Sequence, residues 1–189
     1  VGHVDLDLTA DFDRKVLSGK ATLDISGREG ADQIILDVRN LDIASVTDGV
    51  GRALTWRLGA NDPILGQALE IDMVPFREGE TRKLVISYAT RPDAAALQWL
   101  SPAQTAGGEQ PYLFSQGQAI LTRSWIPLQD SPAVRMTYDA TIRAPRDLTV
   151  LMSAGSRNGP TPVLEESTDS APTDLWRFRM ENAIPSYLI

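Results

Sequence analysis

The sequence of 189 residues predicts an all-β fold built from antiparallel sheets. The first observation is a hydrophobic period of two, which places alternate side chains on opposite faces of a strand. It is clearest near the N-terminus, where Val4, Leu6, Leu8, Ala10 and Phe12 alternate with Asp5, Asp7, Thr9 and Asp11. The second observation is that Gly, Asp, Asn and Pro separate such runs, with no helical period between them. Short strands spaced in this way are typical of antiparallel sheets.

The other predicted strands repeat the same alternation along the whole chain. They are residues 21–25, 34–38, 54–58, 69–73 and 84–88, followed by 136–142, 148–152 and 176–180. Between them, residues 93–97 predict a helical turn, and the Gly-rich residues 106–108 predict a flexible loop. Residues 155–173 are rich in Pro, Ser, Gly and acids, and we expect them to form a surface loop. Together these elements predict a single β domain spanning residues 1–189.

Composition excludes several classes of partner and site. A hydrophobic content of 42% is sufficient for a core, and a net charge of −7 from 18 basic and 25 acidic residues argues against nucleic acid as a partner. The absence of cysteine excludes disulfides and thiolate chemistry. No run approaches the roughly 20 apolar residues of a membrane helix, so no membrane partner is expected. The chain starts without a signal peptide; localisation is left open between the cytoplasm and export with a leader removed.

Catalytic side chains are scarce in the sequence. His3 is the only histidine, and we expect it to be a solvated or edge residue rather than a metal ligand. The glycines near Gly49 and Gly117 match no phosphate-binding loop. Glu165 and Glu166 lie in the predicted loop, where nothing indicates the burial that raises a carboxyl pKa for acid catalysis. No nucleophilic or acid–base arrangement is therefore expected.

Gln116 and Gln118 form the candidate binding site. Alternate residues of an extended segment share a face, so both amides are expected to project to the same side. Each amide offers one carbonyl acceptor and two N–H donors, which together suit an ammonium, an amide or an epoxide oxygen. The alternative is a solvent-facing strand with polar side chains and no ligand.

The neighbours of these glutamines resemble one known family in identity and order. The matching positions are 96–100, 102, 104–105, 111–119, 123, 126–127, 129–130 and 132–134. This segment is similar to the zinc aminopeptidases related to aminopeptidase N, and nearest to the leukotriene A(4) hydrolase and aminopeptidase B types. A weaker resemblance extends from the opening strand to residues 184–189. The resemblance does not decide between the leukotriene A(4) hydrolase and aminopeptidase B types. Epoxide hydrolase activity is therefore not inferred.

The resemblance implies a saddle-like, non-catalytic N-terminal domain with antiparallel or mixed sheets. In this family the zinc site, H-E-x-x-H with a later Glu, lies in a domain that follows the strand matching residues 184–189. That motif is absent here, so no cofactor is expected within this chain and zinc is expected in a catalytic domain beyond Ile189. Met180-Glu181-Asn182 resembles the end of the family's Gly-x-Met-Glu-Asn motif, but Phe178 replaces its glycine. Glu181 is therefore expected at a solvent-facing strand end.

The resemblance also implies roles for the candidate residues. Gln118 matches the position that helps to hold the free amine or first side chain of the substrate, and Gln116 lies two residues earlier on the same edge. The Ala119 backbone is a further candidate contact. The implied function is a substrate-cleft domain that is inactive alone, with its own C-terminal catalytic domain and a peptide substrate as partners.

A second hypothesis belongs to a different class of function. Four tryptophans are many for a domain of this size, and exposed aromatic residues often mark binding surfaces. A free-standing β-sandwich would then bind a protein or polysaccharide through Trp99 or Trp125. Because tryptophans are more often core residues, this hypothesis depends on their exposure.

Overall fold

The structure, a computed structural model, describes residues 1–163 and 172–189. Its largest element is a seven-stranded sheet with the order β11-β12-β10-β1-β2-β7-β4. In chain order its strands are β1 (His3–Asp11), β2 (Val16–Ser26), β4 (Asp42–Asp48), β7 (Thr81–Ala89), β10 (Arg135–Pro145), β11 (Ser156–Pro162) and β12 (Thr173–Pro185).

Two smaller sheets complete the described part of the chain. The first has the order β3-β6-β5, with β3 (Gln33–Val38), β5 (Trp56–Leu58) and β6 (Gln67–Asp72). The second is an antiparallel pair of β8 (Leu97–Leu100) and β9 (Tyr112–Ser115). Three short 3-10 helices are Pro102–Gln104, Thr122–Ser124 and Ser186–Leu188. We call the last of these the C-terminal turn.

The predicted all-β class is confirmed, and the large sheet is mixed. β1 pairs parallel with β10 and antiparallel with β2, while the other neighbours in this sheet are antiparallel. The alternation read from β1 is the observed burial pattern, because Val4, Leu6 and Leu8 are fully buried. The intervening acids lie on the outer face, where Asp7 pairs with Arg143 of β10. One face of the large sheet is therefore apolar and the other charged.

The core lies between the apolar face of the large sheet and the three-stranded sheet. Leu36, Leu69 and Ile71 of the smaller sheet are fully buried in the same cluster as Leu23 and Ile86 of the larger one. Apolar burial stabilises by roughly 25 cal/mol per Å², so this shared cluster is what holds the two sheets together. The arrangement matches the sandwich of sheets expected from the sequence.

Two predictions in the second half are wrong. Residues 148–152 were predicted as a strand but form no regular element, because Leu151 is exposed and does not join a ladder. Part of the predicted loop 155–173 is strand β11, which pairs with β12 at the edge of the sheet. An edge strand tolerates the Gly159-Pro160 pair, and the register shifts between Asn158 and Thr161. Glu165 and Glu166 lie outside the described residues.

Two shorter elements also differ from the prediction. Residues 93–97 form no helix but two successive turns, in which Ala94 N–H donates to Arg91 O and Leu97 N–H donates to Ala94 O. The chain then enters β8 at Leu97. Strand β4 was missed because it is an exposed edge strand in which only Val46 is buried, so it lacks a clear alternation. In the described part of the chain, no helix has the length and apolar character needed to traverse a membrane.

Candidate functional site

The two glutamines lie in residues 116–121, which we call the glutamine segment. Gln116 extends the β8–β9 ladder by one residue, since its N–H donates to Ala96 O at 2.8 Å. Gln118 is already in the turn that follows, and its N–H donates to the Gln116 side-chain oxygen at 3.1 Å. The prediction that both amides sit on one extended strand is therefore wrong for Gln118. Both residues are nevertheless exposed, on either side of the buried Gly117.

Gly117 brings the glutamine segment against the C-terminal turn. A Cβ atom at this position would lie 2.8 Å from the Cα of Tyr187 and 2.5 Å from the Thr122 hydroxyl. Both distances are too short for a side chain, so the bare backbone permits the close approach. Gln118 and Ala119, joined by a cis peptide bond, therefore lie next to the last residues of the chain.

The glutamine segment is held at both ends by hydrogen bonds. At its start, the Ala96 carbonyl accepts from Gln116, while the Ala96 N–H donates to the buried Ser124 hydroxyl at 2.9 Å. At its end, the Ser124 hydroxyl donates to Leu121 O at 2.7 Å. The Leu121 N–H also donates to Gly117 O, at 2.8 Å. These bonds hold the turn that presents Gln118.

A buried ionic cluster lies directly behind this turn. The Arg123 Nε donates to the Asp130 carboxylate at 3.2 Å, and the side chains are only 6% and 0% exposed. The guanidinium also donates to the carbonyls of Leu65 and Asp130, at 2.6 and 2.8 Å. The Ser186 hydroxyl of the C-terminal turn donates to the other Asp130 oxygen at 2.5 Å. The cluster therefore joins the end of the glutamine segment to the C-terminal turn.

Sequence reasoning missed this cluster, although a signal was present. Arg123 stands in the otherwise uncharged stretch 113–129, which the structure buries from Thr122 to Leu128. A charge in such a stretch needs a partner when it is buried. Asp130, the next acid along the chain, is the partner that the structure shows.

An apolar cleft of about 510 Å³ runs along β9 and includes Gln116 and Gly117 in its lining. Residues 148–153 and 187–189 also line it. Four large apolar side chains that line it are well exposed, and we call them the cleft rim: Tyr112 at 53%, Phe114 at 44%, Leu151 at 75% and Leu188 at 44%. Exposed apolar side chains that line one cleft make it a candidate interaction site.

Strand β9 presents a free edge beside this cleft. The bond from Gln116 N–H to Ala96 O, together with the antiparallel register, turns the main-chain groups of Tyr112 and Phe114 toward β8. The backbone N–H and C=O groups of Leu113 and Ser115 therefore point away from β8. Both residues line the cleft. Within the described residues β9 pairs with β8 alone.

Tyr138 fixes one part of the cleft lining. Its ring is fully buried in the core, and its hydroxyl donates to the Ser153 carbonyl at 2.6 Å. Burial raises the pKa of Tyr138 to about 12, so the phenol stays neutral and keeps its proton at physiological pH. The irregular segment that contains Leu151 is thereby tied to the large sheet.

His3 and the tryptophans do not form sites. His3 lies on the central strand β1 rather than at a sheet edge, with its Nδ1 2.7 Å from the Thr137 hydroxyl and its Nε2 3.7 Å from Asp139. Among residues 1–163 and 172–189, no three His, Cys, Asp or Glu side chains are grouped so as to hold a metal ion. The hypothesis of exposed tryptophans is not supported, because Trp125 is only 5% exposed and Trp99 is partly buried, packing edge-on against Phe12 beside the core.

Comparison with known protein families decides the family. The family model for the peptidase M1 N-terminal domain matches residues 2–188. The chain belongs to this family. The predicted membership is thus confirmed. Glu181 of this M1 N-terminal domain is exposed, as predicted, but it lies within β12, which continues to Pro185, and not at a strand end.

Individual relatives agree with this assignment. The chain is 38% identical over 192 residues to leukotriene A-4 hydrolase from Xenopus laevis, covering all of this chain and 30% of the relative. It is 35% identical over 189 residues to leucine aminopeptidase 2 from Sclerotinia sclerotiorum, covering 98% of this chain and 31% of the relative. This M1 N-terminal domain therefore spans about a third of the curated relatives it matches.

Solved structures show the same fold. A yeast leukotriene A-4 hydrolase in complex with bestatin superposes with a TM-score of 0.82 at 31% identity, over 99% of this chain and 27% of the other. An M1 zinc metallopeptidase variant from Deinococcus radiodurans, bound to the substrate Tyr-Ser-Ala, superposes with a TM-score of 0.67 at 22% identity, over 99% and 40%. At 22% identity, the similarity to the second structure shows only that the fold is the same.

Proposed function

We propose that this M1 N-terminal domain forms one side of the substrate cleft of a zinc aminopeptidase that removes N-terminal residues from peptides. The observation that carries the proposal is the position of Gln116 and Gln118, exposed beside the apolar cleft and next to the C-terminal turn. Relatives named as aminopeptidase and as leukotriene A-4 hydrolase support the reaction class. No epoxide hydrolase activity is proposed.

The two amides are suited to a peptide N-terminus. The Gln116 side-chain oxygen accepts from the Gln118 N–H, so its NH₂ group remains available as a donor. The Gln118 side chain has no hydrogen-bond partner in the part of the chain that the structure describes, so its carbonyl oxygen is available to an ammonium. A neutral amide can orient the ammonium group through a hydrogen bond but carries no charge. Most of the electrostatic attraction for the ammonium must therefore come from charged groups elsewhere in the enzyme. The Ala119 backbone lies beside them.

In our proposal, the zinc ion is not held by the described residues of this chain. The sequence has one histidine and no cysteine, and the ring of that histidine, His3, bonds to the Thr137 hydroxyl. Within the described residues no metal-ligating cluster exists. We therefore assign the zinc, and the activation of water that it supplies, to a separate catalytic domain of the enzyme.

The cleft is the proposed seat of that catalytic domain. Its rim exposes four large apolar side chains, and its lining includes Leu188 and Ile189 at the end of the chain. Interfaces between domains bury apolar surface of this kind. The relatives are about three times longer than this chain, so they contain further residues that could form such an interface. Docking there would place the zinc-binding domain next to Gln116 and Gln118, with the peptide between them.

The isolated chain is expected to be inactive. We expect no release of amino acids from short peptides by residues 1–189, with or without added Zn²⁺, because the described residues contain no cluster of ligands for the zinc ion that would activate water. The control is the full-length enzyme, whose activity should disappear with a chelator and return with Zn²⁺. Chelator-sensitive hydrolysis by the purified chain alone would contradict the proposed division of roles.

A further inference from the structure

We infer that Asp130 and Ser186 are positioning residues that set the placement of the glutamine segment relative to the C-terminal turn. The inference rests on the proposed function, since it concerns how the glutamines are presented to the peptide amine. It assigns neither residue a contact with the substrate. Their contribution is to hold Gln118 and the C-terminal turn at one fixed separation.

The Asp130 carboxylate serves two elements at once. One oxygen accepts from both the backbone N–H and the Nε of Arg123, at 3.0 and 3.2 Å. Arg123 belongs to the 3-10 helix that directly follows the glutamine segment. The other oxygen accepts from the Ser186 hydroxyl at 2.5 Å. A single buried side chain thus holds the end of the glutamine segment and the start of the C-terminal turn.

Asp130 is itself fixed to the three-stranded sheet. Its N–H donates to the Asp37 carboxylate of β3 at 2.8 Å, and the neighbouring Leu128 bridges to Asp37 through the backbone. The carboxylate is therefore a rigid reference point rather than a mobile surface group. Asp130 and Ser186 are 1% and 0% exposed, so water does not compete for these bonds.

The close packing at Gly117 transmits this placement to the glutamines. Tyr187, next to Ser186, lies so near Gly117 that no side chain fits between them. A shift of the C-terminal turn would therefore either displace Gly117 or break the close contact between Gly117 and Tyr187. In the proposed enzyme the catalytic domain docks beside this turn, so the Ser186–Asp130 bond sets the distance between the two halves of the peptide site.

Ser186→Ala separates this role from stability. The variant removes the bond to the C-terminal turn but leaves Asp130 joined to Arg123 by three hydrogen bonds, one of which is the ion pair. In the full-length enzyme, with a tripeptide substrate, we expect kcat/KM to fall roughly tenfold, less than the roughly 100-fold that a 1 Å misplacement of a binding group can cost. Most of the fall should appear as a raised KM, because amine binding persists into the transition state. Ser26→Ala, which removes an exposed serine–threonine bond on the large sheet, is the matched control and should leave both constants unchanged.

A double-mutant cycle with Gln118→Ala decides the inference. If Ser186 acts by placing Gln118, the loss from Gln118→Ala should be clearly smaller in the Ser186→Ala background than in the wild type. Additive losses, or an unchanged KM with only a lowered Tm, would overturn the positioning role while leaving the proposed function intact. An unchanged kcat/KM for Gln118→Ala alone would instead overturn the proposed function. The two failures are therefore distinguishable in one set of assays.

Discussion

Arg123→Met is expected to lower the free energy of unfolding by about 3–5 kcal/mol, the cost of leaving one member of a buried ion pair without its partner. The substitution preserves the apolar stem but leaves the Asp130 carboxylate, which is 0% exposed, without a guanidinium. It also removes the donors to the Leu65 and Asp130 carbonyls. Chemical denaturation of the chain, followed by tryptophan fluorescence, measures the change.

An exposed ion pair provides the control for this prediction. Arg91 pairs with Asp42 at 2.7 Å, but the two side chains are 54% and 56% exposed. Arg91→Met should therefore cost no more than about 1 kcal/mol. Replacing both buried partners, in Arg123→Met with Asp130→Leu, should recover part of the loss, because the only charge among the described residues that then loses its partner is the Asp37 carboxylate, which is 39% exposed. Equal losses for Arg123→Met and Arg91→Met would show that burial does not strengthen the cluster as we describe.

Gln118→Ala in the full-length enzyme is expected to lower kcat/KM for short peptides about 5- to 150-fold. This corresponds to about 1–3 kcal/mol, the usual cost of leaving a buried polar partner unpaired once the substrate covers the site. The folded domain should be little changed, because the Gln118 side chain is exposed and donates no described bond that holds the turn. Steady-state kinetics with a tripeptide that has a free N-terminus measures the effect.

Gln98→Ala is the matched control for Gln118. Gln98 is also an exposed glutamine, and it lies on β8 of the same hairpin, paired with Phe114 of β9. Its replacement removes an identical side chain from outside the glutamine segment, so kcat/KM should stay within about twofold of wild type, as for most surface substitutions. A similar loss for both variants would indicate a general effect of the hairpin rather than substrate binding by Gln118.

The large sheet could be predicted from sequence because its strands have one buried and one exposed face. The alternation of Val4 to Phe12 follows directly from that asymmetry, as does the alternation in β10. β11 could not be predicted in this way, because all but one of its residues are exposed and it includes Gly159-Pro160. Its strand character comes only from pairing with β12, which is a tertiary interaction.

The candidate site was only partly predictable for a related reason. The side chains of Gln116 and Gln118 were identifiable by type and spacing, but the strand ends at Ser115 and the turn at Gln118 depends on Ser124 and Ala96. The lone charge at Arg123 points to its pairing with Asp130, but Asp130 and Ser186 are 56 positions apart, and no local pattern encodes their contact. Long-range polar contacts of this kind are decided by the packed fold rather than by local propensity.

The most direct test of the central claim is a crystal structure of the full-length enzyme with a bound tripeptide. The decisive measurement is the distance from the Gln118 side-chain oxygen to the N-terminal nitrogen of the peptide. Our account predicts a hydrogen bond, about 2.7–3.2 Å between these atoms, with the peptide lying between the glutamine segment and the zinc-binding domain. A peptide bound for catalysis whose amino end lies beyond hydrogen-bond reach of both Gln116 and Gln118 would contradict the account.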